Sequence, residues 1–212
     1  MFYPEILSLK QKKILAGLTF LKGFPFYLAG GTALALQLGH RTSLDFDFYS
    51  REKFDNQQVT QAFKKQFLNI FLAKEQLENT WQGKVLGINI SVFYYPYKLI
   101  GSLIDFTPVK LASYEDIAAM KIVAIIQRAK QRDFFDLYYL IKKIGLTKII
   151  AATYKKYPWY EENNQIIFKA LTFFEEANQD EEINRVAVFD KTLNWEKVKK
   201  EITIEVKRFL AL

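Results

Sequence analysis

The chain has no cysteine and only one histidine, His40, among its 212 residues. No disulfide framework and no thiolate metal site can form, and a lone histidine does not build a zinc site. The missing cysteine also makes a reducing cytoplasm the default compartment. No run of about 18 apolar residues occurs, so no membrane span is expected. The N-terminus, MFYPEILSLKQKK, mixes charge early and lacks a long apolar core, so it does not read as a signal peptide. There is no internal repeat and no low-complexity linker.

What is present points to a folded chain. Half the residues are hydrophobic and 16% are aromatic, enough for a sizeable core and against disorder. The formal charge of +7 permits an anionic partner such as RNA without requiring one.

The organising stretch is Gly30 to Tyr49. A Gly30-Gly31-Thr32 turn follows the apolar run Phe26 to Ala29 and opens a short helical stretch to Leu38. Then comes the alternation Leu44-Asp45-Phe46-Asp47-Phe48. A period of two is that of a strand, so Asp45 and Asp47 point to the same side. A glycine turn at a helix N-terminus offers N–H groups and a favourable dipole to phosphate oxygens. Two carboxylates beside it suit magnesium or manganese, which bridges carboxylates to nucleotide phosphates. The bland alternative is a solvent-facing strand with alternating acids.

Around this stretch the chain reads as α+β, then helical. Glu5 to Leu21 has helical spacing at Ile6, Leu9, Ile14, Leu18 and Leu21, with Gly23 as its stop. Phe26 to Ala29 is a short buried strand, Thr32 the N-cap of the next helix, and Gly39 its end. Thr42 or Ser43 begins the acidic strand. Asp55-Asn56 opens a helix to Leu68, with Val59, Phe63 and Phe67 on one face. Ile70 to Tyr95 reads as two or three antiparallel strands punctuated by Gly83 and Gly87, and Thr107 to Leu111 as a small edge strand. Ser113 with Asp116 resembles a capping box ahead of an apolar helix, and a second helix runs from Asp133 to Ile144. Further helices fall at Thr147 to Tyr157, Gln165 to Ala177 and Trp195 to Leu212. The boundary lies near Thr107 to Ser113, giving an α+β unit over 1–110 and a helical unit over 111–212.

Charge is uneven in the helical half. Lys110 to Tyr160 holds ten Lys/Arg against four Asp/Glu, a net of +6; Glu161 to Glu182 holds one Lys against seven acids, a net of −6. The basic block either holds a polyanion or is offset by the acidic one. Lys121 stands in an apolar stretch, where burial without a partner is costly; it is either a snorkelling stem or a functional ammonium. Asp133 and Asp136 share a helix face. Asp133 could cap its helix, and Asp136 could pair with Lys130 or Arg132. Arg128, Lys130 and Arg132 either steer phosphates or flank the acids. His40, directly after Gly39, reads as a loop feature.

Two stretches carry a resemblance. LAGGTALALQLGHRTSLDFDFYS, residues 28–50, resembles the nucleotidyltransferase signature in its AbiEii form, the toxin-like family of abortive-infection and type IV toxin–antitoxin systems. EDIAAMKIVAIIQRAKQRDFFDLYYL, residues 115–140, resembles that family's other two motifs: Asp-Ile-x-x-Met-Lys over Asp116 to Lys121, and Arg-x-Lys-x-Arg-Asp-x-x-Asp-Leu over Arg128 to Leu137. The resemblance implies a nucleotidyltransferase core with a mixed sheet and a helical C-terminal part. It implies attack on the α-phosphate of an NTP, with pyrophosphate leaving and two metals stabilising the attacking and departing oxygens. Gly30, Gly31 and Thr32 would cradle the triphosphate, with Arg41 and Ser43 near the phosphate or base. Asp45 and Asp47 would hold Mg2+ or Mn2+, Lys121 would contact the nucleotide phosphates, and Asp133, ahead of Asp136, would join the active site. The implied acceptor is RNA, above all tRNA, and the implied partner is a separately encoded antitoxin. One departure stands out. Nucleotidyltransferases often supply a third carboxylate from a neighbouring strand, and here the segment Ile88 to Phe93 offers Asn89 and Ser91; Asp105 is a substitute to consider. A catalytically silent nucleotidyltransferase-fold binding module, or a transferase acting on a protein or small molecule, are the alternatives.

Overall fold

The computed structural model describes residues 1–68, 70–72 and 77–211. They divide into two units: Met1–Lys98 with Ser102–Ala112, and Leu99–Gly101 with Ser113 onward. No helix among the described residues is long and apolar enough to cross a membrane.

The first unit is built on a seven-stranded mixed sheet. Its strands are β1 (Tyr27–Ala29), β2 (Phe46–Ser50), β3 (Ile70–Leu72), β4 (Thr80–Val85), β5 (Ile88–Tyr94), β6 (Ile104–Phe106) and β7 (Val109–Leu111). They lie in the order β3-β4-β5-β2-β1-β7-β6. β2 runs antiparallel to β1 and parallel to β5; β7 runs parallel to β1. Alternation sets the faces. Phe46, Phe48, Trp81, Ile90 and Val92 are fully buried on one side, while Asp47 and Tyr49 between them are half-buried.

Three helices belong to this unit: α1 (Leu9–Gly17), α2 (Gly30–Leu38) and α3 (Asn56–Gln66). The continuous helix expected from Glu5 to Leu21 is instead three pieces, a 3₁₀ turn over Pro4–Ile6, α1, and a second 3₁₀ segment over Leu18–Gly23. Ser8 restarts the chain there through a reciprocal capping box with Gln11, which leaves Leu9 85% exposed rather than in the core. Asp55 caps α3, and Phe63 stacks on Trp81 at 4.3 Å between ring centroids. Two sheet details differ from the sequence reading. Gly83 lies inside β4, and the β4–β5 turn is made by Leu86-Gly87, both at positive φ. β7 is not at the edge; β6, formed by residues before Thr107, takes that place. The expected strands over Ile70 to Tyr95 are β3, β4 and β5, with residues 73–76 outside the described ones.

The second unit is helical. It contains α4 (Tyr114–Arg128), α5 (Gln131–Ile144), α6 (Leu146–Lys156), α7 (Trp159–Glu162), α8 (Asn164–Thr172), α9 (Glu175–Asn178) and α10 (Trp195–Leu210). Leu212, expected in the last helix, lies outside the described residues. α4 packs against α5, α6 and α8, and α10 packs against α5 and α8.

Candidate active site

In the first unit the site begins where β1 becomes α2. Gly30 adopts φ +65°, a left-handed conformation that costs a non-glycine residue about 1–2 kcal/mol. A Cβ there would also sit 3.4 Å from Oδ2 of Asp47. The turn therefore abuts the second aspartate, as the Ala29–Asp47 pairing requires. A Cβ on Gly31 would collide with Nη2 of Arg41, whose guanidinium lies over the turn and donates from Nη1 to the Thr42 carbonyl at 2.8 Å. Arg41 is buried, so that position is fixed.

Thr32 does not cap α2. The helix begins two residues earlier, at Gly30, with Ala29 as an N-cap that offers no side-chain acceptor. The first-turn N–H groups are thus left without a side-chain cap, as anion-binding helix ends require. The Thr32 hydroxyl turns to the other side. It donates to the Asp45 carbonyl and lies 2.7 Å from the Ser43 hydroxyl. Gln11 holds the Ser43 carbonyl at 2.9 Å. These bonds fix the irregular segment before β2, which starts at Phe46 rather than Thr42 or Ser43.

Asp45 and Asp47 fall on one sheet face, on the side away from the buried Phe46 and Phe48. Asn89 of β5 donates from Nδ2 to Oδ1 of Asp45 at 2.9 Å, and Ser91 pairs with Asp47 in register. Asn89 thus stands beside the carboxylates where a third acid was sought. Asp105 does not replace it, since it lies on β6, three strands from β2. His40 is buried in the loop after α2.

A divalent metal fits this donor set. Magnesium is commonly held by one or two carboxylates together with substrate phosphates and water. Among the described residues no group of three or more His, Cys, Asp or Glu could hold a metal, so the donor set on this face is limited to two carboxylates.

The second unit holds a separate cluster. Lys121 of α4 pairs with Asp133 and Asp136 of α5, each at 2.6 Å, and Arg128 reaches Asp133 at 3.1 Å. Both aspartates are fully buried, and the two cations balance the two acids. Burial pushes the Asp133 carboxyl up, and the Asp136 charge adds to that. The charges of Lys121 and Arg128 and the Lys121 hydrogen bond outweigh both, holding it below the usual carboxylate range. Asp133 is not an N-cap, and Asp136 pairs with Lys121 rather than with Lys130 or Arg132. Lys130 pairs with Asp180 at 3.3 Å, and Arg132 with Glu182 at 3.4 Å. At these positions the basic block is matched by the acidic one within the same unit.

Two features were missed by sequence reasoning. Asp116 is fully buried and accepts from the backbone N–H of Ile100 and Gly101, from Ser113 and from Lys156. This first residue of the Asp-Ile-x-x-Met-Lys motif anchors residues 99–101 to the helical unit. Its contact with Ser113 was expected from the capping-box pattern; its bonds to residues 100 and 101 and to Lys156 were not. Asp180 accepts the N–H of Gln131 at 2.9 Å, capping α5 from outside its own sequence.

A glycine turn at an uncapped helix start, set against paired aspartates on a mixed sheet, makes this a nucleotidyltransferase fold. JHP933 from Helicobacter pylori superposes with a TM-score of 0.61 at 17% identity, covering 98% of this chain and 93% of that one. MenT4, a nucleotidyltransferase toxin of Mycobacterium tuberculosis, superposes with a TM-score of 0.59 at 16% identity, covering 94% and 83%. The model of the family described as nucleotidyl transferase AbiEii toxin, type IV toxin–antitoxin system, matches residues 13–80 and 90–209. An uncharacterised protein of Aquifex aeolicus is 34% identical over 194 residues, 87% of this chain and 88% of the relative. The chain belongs to the AbiEii nucleotidyltransferase toxin family. It is a nucleotidyltransferase with an NTP as substrate, and its family implies an antitoxin partner.

Proposed function

We propose that the protein transfers a nucleoside monophosphate from an NTP to RNA, with tRNA as the first candidate, in a metal-dependent reaction. The observation that carries the reading is the Gly30 turn set directly against Asp47, with Asp45 on the same sheet face.

Backbone N–H groups of Gly30, Gly31 and Thr32 would receive the β- and γ-phosphates at the start of α2. Arg41, fixed over the turn, adds a positive charge beside them. Asp45 and Asp47 would hold Mg2+ or Mn2+, which would neutralise charge developing on the phosphate oxygens. An acceptor hydroxyl oxygen bonds to the α-phosphorus while the bridging bond to the β-phosphate oxygen breaks. The electron pair leaves on pyrophosphate, and the hydroxyl proton passes to solvent water. Phosphoryl transfer of this kind relies on positioning and electrostatics more than on a strong base. An asparagine at position 89 is compatible with that, because its amide steadies one oxygen of Asp45 and leaves the other for a metal.

A role for the second unit's cluster is proposed separately. Asp133 and Asp136 hold the buried Lys121 ammonium within the second unit, and Lys121→Ala should destabilise that unit by leaving two buried acids against Arg128 alone. The +7 charge supports a polyanionic acceptor.

The test incubates purified protein with magnesium, each α-labelled NTP in turn, total tRNA and cell-extract protein. Label on RNA is the expected result. Label on protein would keep the chemistry and replace the acceptor. Magnesium-independent NTP binding with no transfer would favour the silent binding module.

A further inference from the structure

Strand order gives the site a direction. The glycine turn ends β1, on one side of β2; β5 and then β4 lie on the other. In-line displacement at phosphorus sets the attacking and leaving oxygens on opposite sides. With pyrophosphate leaving toward the glycine turn, the acceptor hydroxyl must approach over β5 and β4.

The residues there share the face of the carboxylates. Asp47 pairs with Ser91, Ser91 with Gln82, and Asn89 with Lys84. Directly paired residues point the same way, so Asn89, Ser91, Gln82 and Lys84 continue the surface that bears Asp45 and Asp47. Gln82 and Lys84 are exposed. Lys84 lies two strands from β2, about 10 Å at ordinary strand spacing. Lys121, Lys130, Arg132 and Lys156 each face an acid, whereas no carboxylate among the described residues pairs with Lys84.

We propose that β4 and β5 form the acceptor track of this enzyme, with Lys84 contacting a backbone phosphate of the incoming RNA and Gln82, Asn89 and Ser91 offering hydrogen bonds to its sugar. A strand entering across this face carries phosphates beyond the reacting hydroxyl, and an exposed ammonium two strands out is where the first of them needs a counter-charge. The inference rests on the RNA-transfer reading above.

The experiment compares wild type, Lys84→Ala and Lys84→Arg. Magnesium–NTP affinity is measured by calorimetry, and the KM for tRNA between 50 and 200 mM salt. Lys84→Ala should raise the tRNA KM roughly fivefold, flatten the salt slope by about one and leave NTP affinity unchanged; arginine should restore both RNA readouts. An unchanged KM and slope, with wild-type RNA still labelled, would overturn the acceptor track alone. NTP affinity falling in step with the KM would move Lys84 to the triphosphate and also overturn it. Wild-type label on protein instead of RNA would overturn both this inference and the reading beneath it.

Discussion

Asn89 and Asp133 show how single side chains set the chemistry of the two units. The Asn89 amide donates to Asp45 at 2.9 Å, a bond that a third carboxylate at that position could not make. Asn89→Asp should lower the melting temperature in EDTA, because two carboxylates then face each other where a hydrogen bond stood, at a cost of about 1–3 kcal/mol. Manganese should reverse that loss and bind more tightly than in wild type. Equal thermal shifts for both proteins on adding manganese together with NTP would rule out a metal at Asp45. Asp133 has its carboxyl held below the usual range, so the sign of its pH effect follows. Its stabilisation is present above the unfolded-state value near 4 and is lost as pH falls through the lower folded-state value. Asp133→Asn should cost about 3–5 kcal/mol at neutral pH and remove that acid-induced loss, as read by urea unfolding at pH 7 and pH 3. The acids of the site were legible in the sequence because a period of two is purely local. The partner of Thr32 was not. A threonine after two glycines reads as a cap, and only the fold brings the Asp45 carbonyl to its hydroxyl.

At the scale of elements, caps decide where helices begin. Ser8 and Gln11 start α1 at Leu9 and break what periodicity alone reads as one longer helix. α5 begins at Gln131 because Asp180, remote in sequence, accepts its first N–H and pairs with Lys130. Asp180→Ala should destabilise the protein by about 0.5–2 kcal/mol, the ordinary cost of a lost N-cap; a melting temperature equal to wild type would show that α5 does not depend on it. Capping by a distant residue leaves no local trace, so the start of α5 was placed two residues late. Sheet order was hidden for a related reason. β2 and β5 are parallel, and β7 lies between β1 and β6; such pairings are set by long-range packing rather than by the strands' own patterns.

Across the whole molecule, charge and family place limits on function that no single residue does. The basic and acidic stretches of the helical unit meet at Lys130, Arg132, Asp180 and Glu182, so a polyanion-binding surface need not follow from the count of lysines there. The family match spans most of the chain, including the stretch with the glycine turn and the paired aspartates, whose pattern was legible before the fold was known. The central claim is that Asp45 and Asp47 bring a divalent metal to an NTP held at the start of α2. It is tested most directly by counting bound manganese by electron paramagnetic resonance, with and without NTP, in wild type and in Asp45→Asn/Asp47→Asn. The account predicts tight manganese uptake that requires NTP in wild type and is absent from the double variant, which should remain folded. Manganese and NTP bound equally well by the double variant would contradict it.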